Sequence, residues 1–67
     1  MPHKLIMNSG RVYVIKEYEE KNYSNGWIYF KDEFNNMIIG VLKNNVEAEI
    51  FQESGDVWEI ERVNQNN

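Results

Sequence analysis

The hydrophobic positions of this chain fall in short runs that alternate with polar residues, and turn residues separate the runs at nearly even intervals. Asn and Gly recur in the separating clusters, and both tolerate the positive φ that tight hairpin turns require. No window shows the three- and four-residue spacing of an amphipathic helix. The pattern therefore predicts short antiparallel strands. They cover residues 5–7, 12–18, 27–31, 37–42, 46–52 and 57–63.

Turn lengths predict how these strands pair. We expect a two-residue turn at Asn44-Asn45, a four-residue loop over 33–36 and a three-residue loop over 54–56, and each fixes one register independently. All three registers place the same residues on one face, whereas a one-residue slip in any strand would move its apolar set to the other face. The predicted core is Ile28, Phe30, Ile39, Val41, Ala48, Ile50, Trp58 and Ile60. The turn at residues 8–10 pairs Ile6 with Val12.

The segment 12–18 is apolar on both faces, with Val12 and Val14 on one side and Tyr13 and Ile15 on the other. A strand of this kind typically bends and takes part in two sheets. We therefore predict one all-β domain over residues 1–63, a small antiparallel barrel of five or six strands in a hairpin meander, SH3-like or OB-like in shape. Residues 19–26 are predicted to be its longest loop, and residues 64–67 a polar tail.

Composition narrows the class of protein. Sixty-seven residues make one domain, and without cysteine there is neither a disulfide framework nor a thiolate metal site. The net charge of −4 and pI of about 4.8 argue against tight, nonspecific binding to nucleic acid or to an anionic membrane surface. The N-terminal apolar run is too short for a secretion signal, so we expect a soluble, cytoplasmic protein. Abundant Asn, Ile, Lys and Glu are typical of small proteins from AT-rich bacteria or their phages.

The face opposite the predicted core carries the functional hypothesis. The registers place an aromatic patch there with an acidic rim, a surface suited to a partner protein or a second copy of this chain. The predicted partner-binding residues are Trp27, Tyr29, Leu42 and Phe51, with Glu49, Glu59 and Glu61 on the acidic side. The alternative interpretation is a second small core under a loop, with the glutamates as solvated surface.

Other function classes are weaker. The segment 46–61 contains six acidic residues and no lysine or arginine, so an inhibitor that mimics nucleic acid is one alternative. Aromatics interleaved with lysines over residues 13–31 suggest weak single-strand binding as another. An enzyme is not expected, because His3 lies at a terminus we expect to be loose and the serines fall in turns. No cofactor or metal is predicted.

Overall fold

The computed structural model describes residues 2–63, apart from the side chains of Glu53 and Ser54, and this part of the chain forms seven β-strands. The strands are β1 His3–Met7, β2 Val12–Ile15, β3 Glu20–Ser24, β4 Trp27–Lys31, β5 Met37–Leu42, β6 Val46–Ser54 and β7 Val57–Arg62. A single 3₁₀ turn, Lys43–Asn45, precedes β6. The predicted tail at 64–67 lies outside the described residues. Nothing helical in the described part has the length and apolar character needed to cross a bilayer.

The strands form two antiparallel sheets. The four-stranded sheet has the order β2-β1-β6-β7, and the three-stranded sheet has the order β3-β4-β5. The prediction of an all-β, antiparallel domain is thus confirmed. Over residues 2–63 no strand pairing joins one sheet to the other, so the predicted closed barrel is not confirmed.

Registers that depend on local turns are as predicted. Ile28 pairs with Val41, and Ile6 with Val12. Ile50 pairs with Ile60 across the β6–β7 hairpin. Two of the loops differ from their predicted lengths, since the β4–β5 loop covers residues 32–36 and the β6–β7 turn covers residues 55–56. An irregularity in each hairpin, at Phe30/Lys31 and at Gln52/Ser54, compensates for the difference and keeps the predicted pairs.

The predicted hairpin between β5 and β6 is wrong. Residues Lys43–Asn45 form a 3₁₀ turn that carries the chain from one sheet to the other, and β6 pairs with β1. Two backbone hydrogen bonds hold the crossing, from Lys43 N–H to the Gly26 carbonyl and from Asn8 N–H to the Asn45 carbonyl, both 2.8 Å. The crossing reverses the predicted faces of β6 and β7. Trp58 and Ile60 are therefore exposed, although the sequence predicts them in the core.

The predicted loop over 19–26 is also mostly wrong, because β3 Glu20–Ser24 occupies it. This strand pairs with β4 through a two-residue turn, Asn25-Gly26, in which both residues have positive φ, 51° and 80°. Paired positive φ values are the requirement of a type I′ hairpin turn. The predicted strand over 12–18 ends at Ile15. The chain then crosses to the three-stranded sheet. Two separate strands, β2 in one sheet and β3 in the other, thus replace the single strand that was predicted to take part in both.

The hydrophobic core lies between the two sheets. Leu5, Met7, Ile15 and Val46 contribute from the four-stranded sheet, and Ile28, Phe30 and Val41 from the three-stranded sheet. Each sheet consequently has an inner face toward this core and an outer face away from it. The candidate functional features are therefore the outer faces of the sheets and the polar groups in the core.

Candidate functional site

The outer face of the four-stranded sheet is mostly apolar. Register places the side chains in rows across the strands, Val14–Lys4–Ile50–Ile60 in one row and Val12–Ile6–Ala48–Arg62 in the next. Gln52 and Trp58 pair beside them. We call this set the outer apolar face. An antiparallel sheet that simply faces water alternates polar residues outward, and this one does not.

Several side chains of the outer apolar face are well exposed. Ile60 is 69% exposed and Val14 57%, and Val12 and Trp58 are also exposed. With strands about 4.8 Å apart, a face four strands wide and five or six residues long covers roughly 400 Å². This area includes Lys4, Gln52 and Arg62, and it is comparable with the largest apolar patch on a typical monomer, a patch that is often functional.

The charge on the outer apolar face is positive, in a protein whose net charge is −4. Lys4 and Arg62 lie on it by register, and the Glu47 carboxylate lies 3.8 Å from the Arg62 guanidinium. The Lys4 ammonium lies 5.3 Å from the centre of the Trp58 ring, within cation–π range. The face therefore presents apolar surface together with the Lys4 ammonium, which forms no ion pair within residues 2–63.

The inner face of the same sheet holds an unexpected polar group. Glu49 is 0% exposed and His3 is 2% exposed, so the expectation that Glu49 faces outward is wrong. The reason is the pairing of β6 with β1, which turns Glu49 toward the core opposite Leu5. The expectation of a loose His3 is likewise wrong, because His3 begins β1 inside the core.

Three groups stabilise the buried carboxylate. His3 Nε2 lies 2.8 Å from Glu49 Oε1, the Lys21 ammonium lies 2.9 Å and 3.1 Å from the two oxygens, and the Tyr23 hydroxyl donates to Oε2 at 3.1 Å. The Tyr18 hydroxyl lies 3.4 Å from His3 Nδ1. We call these five residues the Glu49 cluster.

Burial raises the pKa of Glu49, but the hydrogen bonds from His3 and Lys21 and the Lys21 charge outweigh it, and the pKa falls to about 2. Glu49 is therefore ionised at neutral pH. The Lys21 and Tyr23 side chains come from β3 and reach across the core, so the cluster links the two sheets. Both ring nitrogens of His3 face protein groups, and the ring packs against Phe30 and Phe51. The geometry is that of an ion pair between Glu49 and Lys21, with His3 and Tyr23 in hydrogen-bond contact with the same carboxylate.

The predicted partner-binding residues do not come together. Trp27, Tyr29 and Leu42 lie on the outer face of the three-stranded sheet, where the Trp27 and Tyr29 rings stack 6.2 Å apart and Tyr29 covers Gly40. The other four predicted residues belong to the four-stranded sheet and to its inner side. They are Glu49, Phe51, Glu59 and Glu61.

The inner side of β7 keeps an acidic character. Glu59 and Glu61 are exposed, and neither forms an ion pair within the described residues. A cleft of about 280 Å³ opens beside Glu61, lined also by Tyr23, Lys43 and Val63. Because Glu49 is buried and paired, it does not contribute to the acidic surface predicted from the sequence. Glu59, Glu61 and Asp56 remain exposed, and Glu47 lies 3.8 Å from Arg62.

The sequence carried a signal for the outer apolar face that the prediction did not use. Strand β2 is apolar on both faces, with Val12 and Val14 on one and Tyr13 and Ile15 on the other. Strand β7 has an apolar face, Trp58 and Ile60, and an acidic one. In so thin a domain, one of the two apolar faces of β2 must remain outside the core. Nothing in the sequence alone says which.

No protein-family model, no curated protein and no solved structure matches this chain.

Proposed function

We propose that this chain is a non-enzymatic protein-interaction module that binds a partner protein through the outer apolar face. The observation that supports the proposal is the exposure of Val12, Val14, Trp58 and Ile60 on one continuous face. Covering such side chains stabilises a complex by about 25 cal/mol per Å² of apolar surface removed from water, before the cost of association.

Two matched double variants test the proposed surface. Ligands are first selected on the parent chain from a displayed random peptide library. Val14→Thr with Ile60→Thr removes apolar contact from the outer apolar face while keeping residues that favour strands. We expect it to weaken binding of the selected ligands by at least about tenfold, as loss of central interface contacts does.

The control variant carries the same kind of change on the other sheet. Met37 and Leu42 are similarly exposed there, so Met37→Thr with Leu42→Thr should leave affinity unchanged. Circular dichroism checks that both variants stay folded. If only the control variant loses binding, the interaction surface is the one around Trp27, and if no ligand is selected the proposal is wrong.

A further inference from the structure

Strand β7 is the most exposed strand of the described chain. Every one of its six residues is exposed, on both faces of the sheet. It lies at the end of the four-stranded sheet and pairs only with β6. Its other edge therefore carries backbone groups without a described strand beside them, and such an edge can pair with another chain.

The identity of those backbone groups follows from one hydrogen bond. Val63 N–H donates to the Glu47 carbonyl at 2.9 Å, which makes this a hydrogen-bonded pair of the β6–β7 ladder. Hydrogen-bonded pairs recur every second residue in an antiparallel ladder, so Glu61 and Glu59 also use their amides toward β6. The amides and carbonyls of Trp58, Ile60 and Arg62 consequently point to the free edge.

The side chains of β7 alternate in chemistry between its two faces. Trp58 and Ile60 lie on the outer apolar face, and Glu59 and Glu61 lie on the inner side, where they have no described ion-pair partner. A strand added at the free edge would place its own side chains directly opposite these residues, on the same faces. Residues opposite the glutamates would also be in non-hydrogen-bonded pairs, where side chains come closest.

A second copy of this chain is a poor occupant of the edge. If two β7 strands paired antiparallel about a two-fold axis, glutamates would lie opposite glutamates on the inner side. Like charges directly opposite each other destabilise a sheet. The glutamates thus act against self-pairing and in favour of a strand that carries cations at alternate positions.

We propose that the free edge of β7 adds an extended segment of a partner protein in which basic and apolar residues alternate. The basic side chains face Glu59 and Glu61, and the apolar side chains extend the outer apolar face beyond Ile60. This inference rests on the proposed function and specifies the partner's chemistry. The mode of binding is strand addition, in which backbone hydrogen bonds give affinity and alternate side chains give specificity.

The test uses a short acetylated and amidated peptide in which lysine and valine alternate. We expect it to bind the full chain, to shift the backbone amide signals of Trp58, Ile60 and Arg62, and to bind more weakly as salt rises. A peptide of the same composition with its lysines in one block and its valines in another cannot match both faces. Equal binding of the two peptides would overturn the proposal.

Two charge variants separate the edge glutamates from net charge. Glu59→Gln with Glu61→Gln should weaken binding by roughly tenfold, because each exposed pair contributes a modest amount. Glu19→Gln with Glu33→Gln makes the same change of net charge at exposed positions away from β7 and should have no effect. Equal losses in the two variants would mean that the peptide senses only overall charge, and the proposal would fail.

N-methylated peptides test the backbone pairing. Only alternate amides of an added antiparallel strand face β7, and with the lysines opposite Glu59 and Glu61 these are the valine amides. Methylating the valine nitrogens should therefore abolish binding, and methylating the lysine nitrogens should leave it intact. Peptides that bind equally well with either set methylated would exclude strand addition.

The two proposals can fail separately. If library ligands depend on Val14 and Ile60 while the alternating peptide does not bind, the module binds through its outer apolar face and the inference on β7 is wrong. If the alternating peptide binds and no library ligand depends on Val14, the inference of strand addition at β7 is supported and the proposal for the outer apolar face is wrong. Concentration-dependent sedimentation with β7 amide shifts in the absence of peptide would mean that a second copy occupies the edge, and this would overturn the inference.

Discussion

At the scale of single residues, the Glu49 cluster stands out because it buries a charged carboxylate in the core. A buried carboxylate is costly unless charges and hydrogen bonds compensate its lost hydration. Here His3, Lys21 and Tyr23 do so. The cluster therefore makes stability depend on pH and on each partner.

Acid should destabilise the protein through Glu49. The pKa of this carboxyl is about 2 in the folded protein, against about 4.3 for a glutamate in an unfolded chain. A depressed pKa contributes stability that is fully present above about pH 5 and lost as pH falls from about 4 to 2. The contribution at neutral pH is on the order of 3 kcal/mol. Urea titrations between pH 7 and 2 measure it.

Glu49→Gln should cost about 3–5 kcal/mol at pH 7, because it leaves the partly buried Lys21 ammonium without its counter-charge. Its stability should also fall less steeply in acid than that of the parent. Glu33→Gln, at an exposed position, is the control and should leave both properties unchanged. Parallel acid profiles for the Glu49→Gln variant and the parent would contradict this account of the cluster.

At the scale of elements, tight turns fix the hairpins. In the Asn25-Gly26 turn both residues have positive φ, and Gly26 is at 80°. A Cβ at Gly26 would meet no heavy atom within 4 Å, so only backbone conformation restricts this position. The β3–β4 hairpin thus depends on a residue that tolerates the left-handed region.

Gly26→Ala should destabilise the protein by about 1 kcal/mol, the cost of holding an L-residue at positive φ. Gly26→Asn should cost less, because asparagine visits this region readily. Chemical denaturation of the two variants compares them. An alanine variant as stable as the asparagine variant would show that the turn is not held at this φ.

At the scale of the whole molecule, two thin sheets share one small core. The molecule measures 38 × 30 × 17 Å, so few side chains can be fully buried. Domains have roughly 0.05–0.15 kcal/mol of stability per residue, which gives about 3–10 kcal/mol for a chain of this length. One large core side chain is therefore a substantial part of the total.

Phe30 and Phe34 are a matched pair that tests how much one core side chain contributes to stability. Phe30 is fully buried between the sheets, and Phe34 is 75% exposed in the turn after β4. Phe30→Ala should cost about 3–5 kcal/mol and unfold much of the population. Phe34→Ala should change stability by less than about 0.5 kcal/mol. Thermal unfolding followed by circular dichroism tests both, and comparable losses would mean that the core has been misplaced.

The sequence alone determined whatever depends on neighbouring residues. The bounds of β4 and β5, the pairing of Ile28 with Val41 and the hairpin of β6 with β7 follow from alternation and turn residues. These signals act over a few residues, so no knowledge of the rest of the chain is needed. The predictions of an all-β chain and of these registers are confirmed for that reason.

Only the tertiary structure decided which sheet β6 joins. Asn44-Asn45 suits a hairpin turn, but the backbone at Lys43–Asn45 instead crosses to β1, a strand far away in sequence. Alternation has a period of two and defines two faces, yet it does not say which face meets the core when both carry apolar residues. Burial of Glu49 and exposure of Ile60 are thus consequences of long-range pairing. The polar partners His3, Lys21 and Tyr23 become neighbours of Glu49 only when the two sheets pack.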